Sequence, residues 1–578
     1  MWTDSVHMLP KRKISFRSIY PDSADSYNNL KLRGRALRLH RSLRGIGIVS
    51  DIQASLSCFV AFWRSEGKIL KLLIHDLPGK NREMTENPRE KRGEDSLPES
   101  FYELDLSKLD FSKAAIPEAD VSAFLHAAEI GPETEKARGR EGGANGKGRA
   151  SISGKESRAS SEAPTSFASC RDTADREHWI ILSDTGRIRP CTGCFCCWLK
   201  TPGRCVIRDG FEHMGALLSE ADELLIISRC SFGGFSPFVK NVMDRSIGYL
   251  LPYFRIIQGE MHHRIRPKRA PLPLRILFYG EDITEEEKEE AESYVKSVCI
   301  NLEAELKELR FYESSKVRAE EKATEPAEPS EKPIPRDPFG QISLEGFVPL
   351  NGKPRADDPA FDGTRSGRIV LLNGSLRGKR SNTLAFLETI RENTGKEAEL
   401  YSLSQYMGKQ EELLSLLKGA DTLLLGMPLY VDGIPSAVLR LMEALQASRQ
   451  DPGRRIYVVS NMGFYESRQI KNLLRMVQIW SEKCSYTYCG GLAIGAGEML
   501  GTLIRRIPLC SGPMKHAGKA LLLLSERIQE GKALEEDLYI GPAFFPRFLY
   551  ILAAHINFRG EGKKNGLSAR DLLAAARI

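Results

Sequence analysis

Residues Ile369–Ile390 read IVLLNGSLRGKRSNTLAFLETI: an apolar run, a loop of small hydroxyl and basic residues, then a helical pattern. Ile369, Val370, Leu371 and Leu372 are continuously apolar, as a parallel strand buried on both faces must be. Leu384, Phe386, Leu387 and Ile390 then recur at helical spacing. The loop between them, Asn373 to Asn382, therefore stands at the carboxyl end of a strand, where open α/β sheets take their ligands. Its chemistry suits a dianion. Ser375, Ser381 and Thr383 offer hydroxyls, Arg377 offers a planar fork of donors, and the free amides of a helix start point toward negative charge. A capped helix behind a solvated basic loop uses the same residues, so this segment alone leaves both readings open.

Two more strand ends follow. In LLLGMPLYVDGIPSAVLRLMEAL (Leu423–Leu445) an apolar strand over Thr422 to Gly426 runs into a loop from Pro428 to Pro435, where Tyr430 and Gly433 let a planar ring approach backbone and aromatic surface. In RIYVVSNMGFYESRQ (Arg455–Gln469) a strand over Ile456 to Val459 precedes Ser460, Asn461, Gly463 and Phe464. With these three loops in order, residues 367 to about 500 resemble the flavodoxin-like NAD(P)H-dependent FMN reductase family, whose first loop reads GS-x-R...S-x-T and whose second reads P-x-Y-x-x-x-x-P. The resemblance implies that Ser375, Arg377, Ser381, Asn382 and Thr383 hold the FMN phosphate. It implies that Pro428, Leu429, Tyr430, Asn461, Gly463 and Phe464 line the isoalloxazine.

A second α/β unit is legible upstream. Ile69 to Ile74 and Trp179 to Leu182 read as strands, Gly210 to Ala221 as an amphipathic helix, and Glu223 to Ser228 as an apolar strand. The Gly-rich loop Phe232 to Pro237 opens a helix running through Tyr249. A strand at Leu274 to Gly280, a charged helix from about Thr284 to Leu306 and a strand at Leu309 to Tyr312 complete the unit. It also resembles the FMN reductase family, most closely the iron-sulfur flavoprotein branch. It departs from the pattern at two loops: His75, Asp76, Leu77 and Pro78 replace the serine and glycine cradle, and Arg229, Cys230 and Ser231 stand where the family carries proline, a variable residue and tyrosine. An acidic side chain at Asp76 disfavours a phosphate. Arg229 either compensates for the missing cradle or is a solvated loop charge.

Of twelve cysteines, five fall between Cys191 and Cys205. Cys191, Cys194, Cys197 and Cys205 fit the spacing C-x2-C-x2-C-x7-C, and four thiolates that close can ligate a [4Fe-4S] cluster or a tetrahedral zinc. A packed or redox-active thiol loop has the same spacing. Similar motifs in iron-sulfur flavoproteins hold a cluster beside the flavin, so the resemblance adds a [4Fe-4S] cluster as a second cofactor. The remaining cysteines are scattered and no secretory signal is evident, which together point to a reducing compartment, the cytoplasm.

A chain of 578 residues exceeds two such units, and composition accounts for the difference. The expected organisation is a basic, partly disordered extension over residues 1–67, a first flavodoxin-like domain over 68–314 with a low-complexity insertion at 83–176, a proline-rich linker over 315–366, a second flavodoxin-like domain over 367–535, and a helical tail over 536–578; after Gly512, helix patterns appear at His516 to Gln529, before that boundary, and at Phe548 to Ile556, beyond it. Residues 1–75 carry a net charge of +8 against +7 for the whole chain, so the rest sums to −1. A basic arm of this kind suits an anionic membrane or RNA, or is a solvated extension; no nucleic-acid module or transmembrane segment is recognisable.

The fold class expected is therefore α/β, two tandem doubly wound parallel sheets. The resemblance implies an FMN enzyme that takes a hydride from NAD(P)H and passes electrons to a small-molecule or protein acceptor, as a homo-oligomer or as an internal pseudo-dimer. No side chain needs to act as acid or base, because the isoalloxazine carries the chemistry. An iron-sulfur electron carrier without NAD(P)H activity, and a first domain that has become an interaction module, are the alternatives.

Overall fold

The computed structural model describes residues 69–77, 177–184, 186–266, 271–313, 367–394 and 398–574, all within one compact unit spanning residues 55–578. The basic arm, the 83–176 insertion and the 315–366 linker lie outside the described residues, and the described chain resumes at Gly367.

The N-terminal half contains β1 (Ile69–His75), β2 (Glu177–Ser183), β3 (Glu223–Arg229), the antiparallel hairpin β4 (Leu250–Ile257) and β5 (Glu260–Ile265), β6 (Leu272–Gly280) and β7 (Ala304–Glu313). The C-terminal half contains β8 (Ile369–Asn373), β9 (Glu399–Ser402), β10 (Thr422–Pro428), β11 (Arg455–Asn461), β12 (Thr487–Ile494) and β13 (Leu538–Ile540). The two main sheets run β2-β1-β3-β6-β7 and β13-β12-β11-β10-β8-β9, parallel throughout. With the hairpin set aside, the N-terminal half has the order 2-1-3-4-5, which is the flavodoxin-like doubly wound order, and the C-terminal half has the same order with β13 added as a sixth strand; each therefore has a switch point at the carboxyl ends of its first and third strands. Burial explains the strand sequences: six of the seven residues of β3 and all five of β8 are covered, so both read as apolar runs rather than alternating patterns.

The helices in chain order are α1 (Cys196–Leu199), α2 (Met214–Glu220), α3 (Pro237–Arg245), α4 (Glu285–Leu302), α5 (Asn382–Asn393), α6 (Gln410–Leu417), α7 (Ser436–Ser448), α8 (Lys471–Lys483), α9 (Gly497–Leu503), α10 (Lys515–Glu530), α11 (Arg547–Lys564) and α12 (Ala569–Leu573). The halves meet through equivalent helices. α3 and α7, which each follow the third strand of their half, pack on one another, and so do α4 and α8, which follow the fourth. That pairing of like with like is the pattern of an isologous two-fold contact. One hydrophobic cluster runs through the junction and includes Phe235, Tyr294 and Val298 from the first half with Met442, Met476 and Trp480 from the second. Polar stitches cross it: Ser293 Oγ donates to Asn472 Oδ1 at 2.9 Å, and Ser436 N donates to Asp244 Oδ2 at 3.0 Å.

Four differences from the sequence reading have local causes. The hairpin β4–β5 was not anticipated, because Pro252 interrupts the first strand and its turn uses Gln258 and Gly259, both at positive φ, rather than Asn-Gly. The helix expected from Thr284 to Leu306 begins with a Thr284–Glu287 capping box but stops at Leu302, since Glu303 turns left-handed and the chain passes directly into β7. Helix α2 starts only at Met214, after a turn through Gly210 at φ 87°. Leu538–Ile540 pairs with β12 as the edge strand of the second sheet, so the sheet extends into residues expected to be only helical. Among the described residues no helix is long and apolar enough to cross a membrane.

Candidate functional site

In the C-terminal half the register aligns Gly426 with Asn373 and Pro428 with Asn461, which sets the ends of β8, β10 and β11 at one rim. Backbone bonds tie the loops together there: Gly374 N donates to Gly426 O at 2.7 Å and Leu429 N to Asn461 O at 2.9 Å. Glycine is required at 374, since a Cβ would come within 2.5 Å of Val438. Ser375 is buried, and its amide donates to Asn373 Oδ1 at 3.2 Å. Ser381 is committed to capping α5, its Oγ accepting from Leu384 N at 3.2 Å. Thr383 Oγ1 donates to Asn461 Oδ1 at 2.6 Å, joining the first and third loops, while Asn382 backs onto Gly501. Arg377 pairs with Glu498 at 2.6 Å and lies 5.3 Å from the Phe195 ring centroid. Lys379 and Arg380 are exposed at the loop tip.

The second loop is strained and is held by the other half. Tyr430 and Gly433 form an antiparallel bridge around Val431 and Asp432, at φ 39° and 59°. A β-branched valine in the left-handed region is an outlier that surrounding structure must enforce. Three groups of the N-terminal half do so. Lys240 Nζ donates to Tyr430 O at 2.7 Å, Asn301 Nδ2 donates to both oxygens of Asp432 at 2.7 and 2.8 Å, and His262 Nδ1 stands 2.9 Å from Asn301 Oδ1. Burial raises the Asp432 carboxyl above its usual range, with the Asn301 hydrogen bonds working against that rise. The loop of the first half, from Ser231 to Gly234, carries the same bridge with Phe232 and Gly233 at positive φ.

Two hydroxyls at the carboxyl ends of β10 and β11 are buried without a hydrogen-bond partner among the described residues, Tyr430 Oη and Ser460 Oγ. Gly463 has open space where a Cβ would be. Its carbonyl accepts from Tyr550 Oη of α11 at 2.6 Å, and the neighbouring Phe464 ring lies 5.1 Å from His263 and 6.0 Å from Phe254 of the hairpin. Burial drives His263 down to about 3. The crevice is therefore roofed by the hairpin, by α11 and by the cysteine loop, whose Gly193 sits so close that a Cβ would come 2.0 Å from Tyr430 Oη.

Cys191, Cys194, Cys197 and Cys205 line one small cavity together with Asp244 and Arg245, and Cys196 is not among its lining. Arg245 anchors the loop: its guanidinium donates to Asp209 at 2.8 and 3.0 Å and to the carbonyls of Arg189 and Ile207. Burial favours protonation of Asp209, but Arg245 and the backbone amides of Arg189 and Phe211 together outweigh it and hold the carboxyl below its usual range. Trp198 Nε1 donates to Ile247 O at 2.8 Å. Burial pushes the Cys191 thiol up to about 12 and the Cys197 thiol well above its ordinary value. Such thiols are not activated nucleophiles. Among the described residues no group of three or more His, Cys, Asp or Glu side chains is arranged to hold a metal ion, so the four predicted ligands share a cavity without forming a ligand set.

The crevice of the N-terminal half is different. Where the other half has its serine and arginine loop, Asp76 accepts from Arg229 N at 3.1 and 3.2 Å, and Tyr279 Oη donates to Asp76 O at 3.2 Å. His75 beside it is buried and driven down to about 4, with Nδ1 unpartnered among the described residues. The Arg229 guanidinium turns away to pair with Glu443 of α7 at 2.7 Å, which also accepts from Ser231 Oγ. Arg229 is thus an exposed tie between the halves rather than a substitute cradle.

Sequence reasoning missed Lys240, Asn301, His262, Gly193, Glu498 and Tyr550. Each reaches the crevice through tertiary contact, and none sits in a local pattern that announces it.

No family model matches the chain. It is 38% identical over 68 residues to an iron-sulfur flavoprotein from Methanocaldococcus jannaschii, a match covering 12% of this chain; the chain spans about a third (34%) of that curated relative's length. Similar solved structures include the WrbA-like flavodoxin of Agrobacterium tumefaciens (14% identity, 28% of this chain and 99% of that one, TM-score 0.20). An FMN-dependent NADH-azoreductase from Bacillus anthracis in complex with FMN is similar at 14% identity, over 28% of this chain and 99% of that one, with TM-score 0.21. An NADPH-quinone reductase from P. pentosaceus is similar at 20% identity, over 28% of this chain and 94% of that one, with TM-score 0.22.

Proposed function

We propose that the protein is a flavin-dependent oxidoreductase that holds one FMN per chain, in the crevice of its C-terminal half, and uses NAD(P)H as hydride donor. The observation that carries this reading is the pair of orphaned buried hydroxyls at neighbouring strand ends, Tyr430 Oη in the loop after β10 and Ser460 Oγ at the end of β11, beside the strand-loop-helix that holds Ser375, Arg377 and Thr383. A buried hydroxyl without a partner costs about 1–3 kcal/mol, and a polar ligand in the crevice removes that cost. The residues present fit the group: loop amides, hydroxyls and Arg377 suit a phosphate, and Tyr430, Gly463 and Phe464 suit a planar ring. When bound, FMN supplies a ring that accepts two electrons and a proton as hydride and passes electrons to an acceptor.

The chain's own residues do the rest. Lys240 and Asn301 fix the strained loop Tyr430–Gly433 in one conformation, so that the ring site is formed before the ligand arrives. The hairpin, α11 and the Cys191–Cys197 loop exclude water from it. The N-terminal half acts as the second subunit of an internal pseudo-dimer, with Asp76 in place of a phosphate cradle. Glu498 competes with a phosphate for Arg377, and the exposed Lys379 and Arg380 supply the compensating charge.

A second reading is favoured by one observation, the common cavity of Cys191, Cys194, Cys197 and Cys205. As they stand the four form no ligand set; drawn together as thiolates they would hold a [4Fe-4S] cluster, making the protein an iron-sulfur flavoprotein electron carrier. Anaerobic purification with flavin and iron quantified per chain tests both readings. Flavin without iron, bleached by NADPH, supports the reductase; about four irons with one flavin supports the carrier; neither cofactor refutes both.

A further inference from the structure

Helix α11 presents an apolar stripe to solvent. Phe548, Leu552 and Ile556 recur every four residues along the helix and are 67, 55 and 62% exposed; Leu549 widens the stripe, and Phe544, in the segment before the helix, is 72% exposed. Single exposed hydrophobic side chains need no explanation, but a contiguous run does. The helix is not loosely attached. Its inner side buries Tyr550, which donates to Gly463 O, and packs Ile551, Ala554 and Phe558 against the hairpin around Phe254. The stripe thus points outward from a rigid support.

Cations bracket it at both ends. Lys515 Nζ lies 5.3 Å from the Phe544 ring centroid, and Arg559, Lys563 and Lys564 occupy the last turns of α11. At 3.6 residues per turn, Arg559 and Lys563 fall within about 60° of Phe548, on the exposed side. The one acidic residue of the helix, Glu561, pairs with Lys564 at 2.6 Å. A second copy of the chain meets this face poorly. An antiparallel pair centred on Leu552 would set Arg559 against Phe545 and Lys563 against Gly541, with no carboxylate to receive either, and a parallel pair would set like charges together. A surface of anionic headgroups over an apolar interior satisfies both parts of the face.

We propose that α11 docks the protein onto an anionic lipid surface, lying in the interfacial plane with Phe548, Leu552 and Ile556 inserted and Arg559 and Lys563 at the headgroup phosphates. The full-length protein is sedimented with phosphatidylcholine vesicles, with and without an equal share of phosphatidylglycerol. The comparison variant is Phe548→Ser/Leu552→Ser/Ile556→Ser, which alters only exposed side chains and leaves every charge in place, including the +8 of residues 1–75. The wild type is expected to bind the anionic vesicles, and the triple variant to bind at least about tenfold more weakly with an unchanged melting temperature. Arg559→Gln/Lys563→Gln should weaken binding and flatten its salt dependence. Equal binding by the triple variant would assign the affinity to charge elsewhere and overturn the proposal. So would an absence of vesicle binding, including the case in which light scattering shows a dimer that the triple variant abolishes.

Discussion

Replacing Gly193 by alanine tests whether the cysteine loop closes over the C-terminal crevice. The substitution meets two costs. Gly193 sits at φ 64°, where an L-residue costs about 1–2 kcal/mol. Its new Cβ would also stand 2.0 Å from Tyr430 Oη, an overlap that forces one of the two loops aside at about 1–3 kcal/mol. The expected loss is about 2–5 kcal/mol in urea unfolding followed by tryptophan fluorescence. Tyr430→Phe separates the terms, because it removes the overlapping oxygen and leaves the ring carbon at 3.0 Å. Alone, it should leave the flavin-free protein as stable as before or more stable by about 1 kcal/mol, since the lost hydroxyl is buried and unpartnered among the described residues. In that background Gly193→Ala should cost only the backbone portion, giving a coupling energy of about 1–3 kcal/mol. Additivity within about 0.5 kcal/mol would show that the loop does not touch Tyr430 and would refute the roofed crevice.

Glu498→Gln frees Arg377 from a half-exposed ion pair worth little to stability, so FMN should bind roughly three- to tenfold more tightly by fluorescence titration while the melting temperature barely changes. Asn301→Ala leaves the buried Asp432 carboxylate without its donors and should cost about 2–3 kcal/mol together with weaker flavin retention, read by denaturation and by flavin released on dialysis. Stability should fall on acidification from about pH 6.5 toward 4. His75 is lowered to about 4 in the folded chain against an ordinary 6.5, so over that window the unfolded chain binds the extra proton, and about 3 kcal/mol is lost by pH 4. His75→Gln should flatten this part of the pH profile, and an unchanged slope would exclude His75 as its source.

Much of the architecture was visible in short apolar runs. β3, β8 and β10 are covered on both faces, so their sequences carry a signal that burial alone imposes. β9 was not visible, because ELYS is a half-covered edge strand of four residues with no periodicity to read. The hairpin escaped for a related reason: its turn lies at Gln258–Gly259, which has no hairpin signature. In the site, cysteine spacing separated the four residues that share a cavity from Cys196, which does not. What spacing could not show is which loop of one half lies against which loop of the other. Asn301 and Asp432 are 131 residues apart, and only the packing of α4 on α8 and α3 on α7 brings such pairs together. The capping role of Ser381 could not be separated in the sequence from phosphate binding, since a serine opening a helix reads alike as phosphate ligand and as cap.

The central claim is that one crevice, in the C-terminal half, holds the flavin. Equilibrium dialysis of the full-length protein against FMN, for the wild type and for Ser375→Asp, which introduces a carboxylate of the kind Asp76 provides in the other half, measures it most directly. One FMN per chain in the wild type and none in the variant is the predicted result; no binding by the wild type, or one FMN retained by the variant, would contradict it.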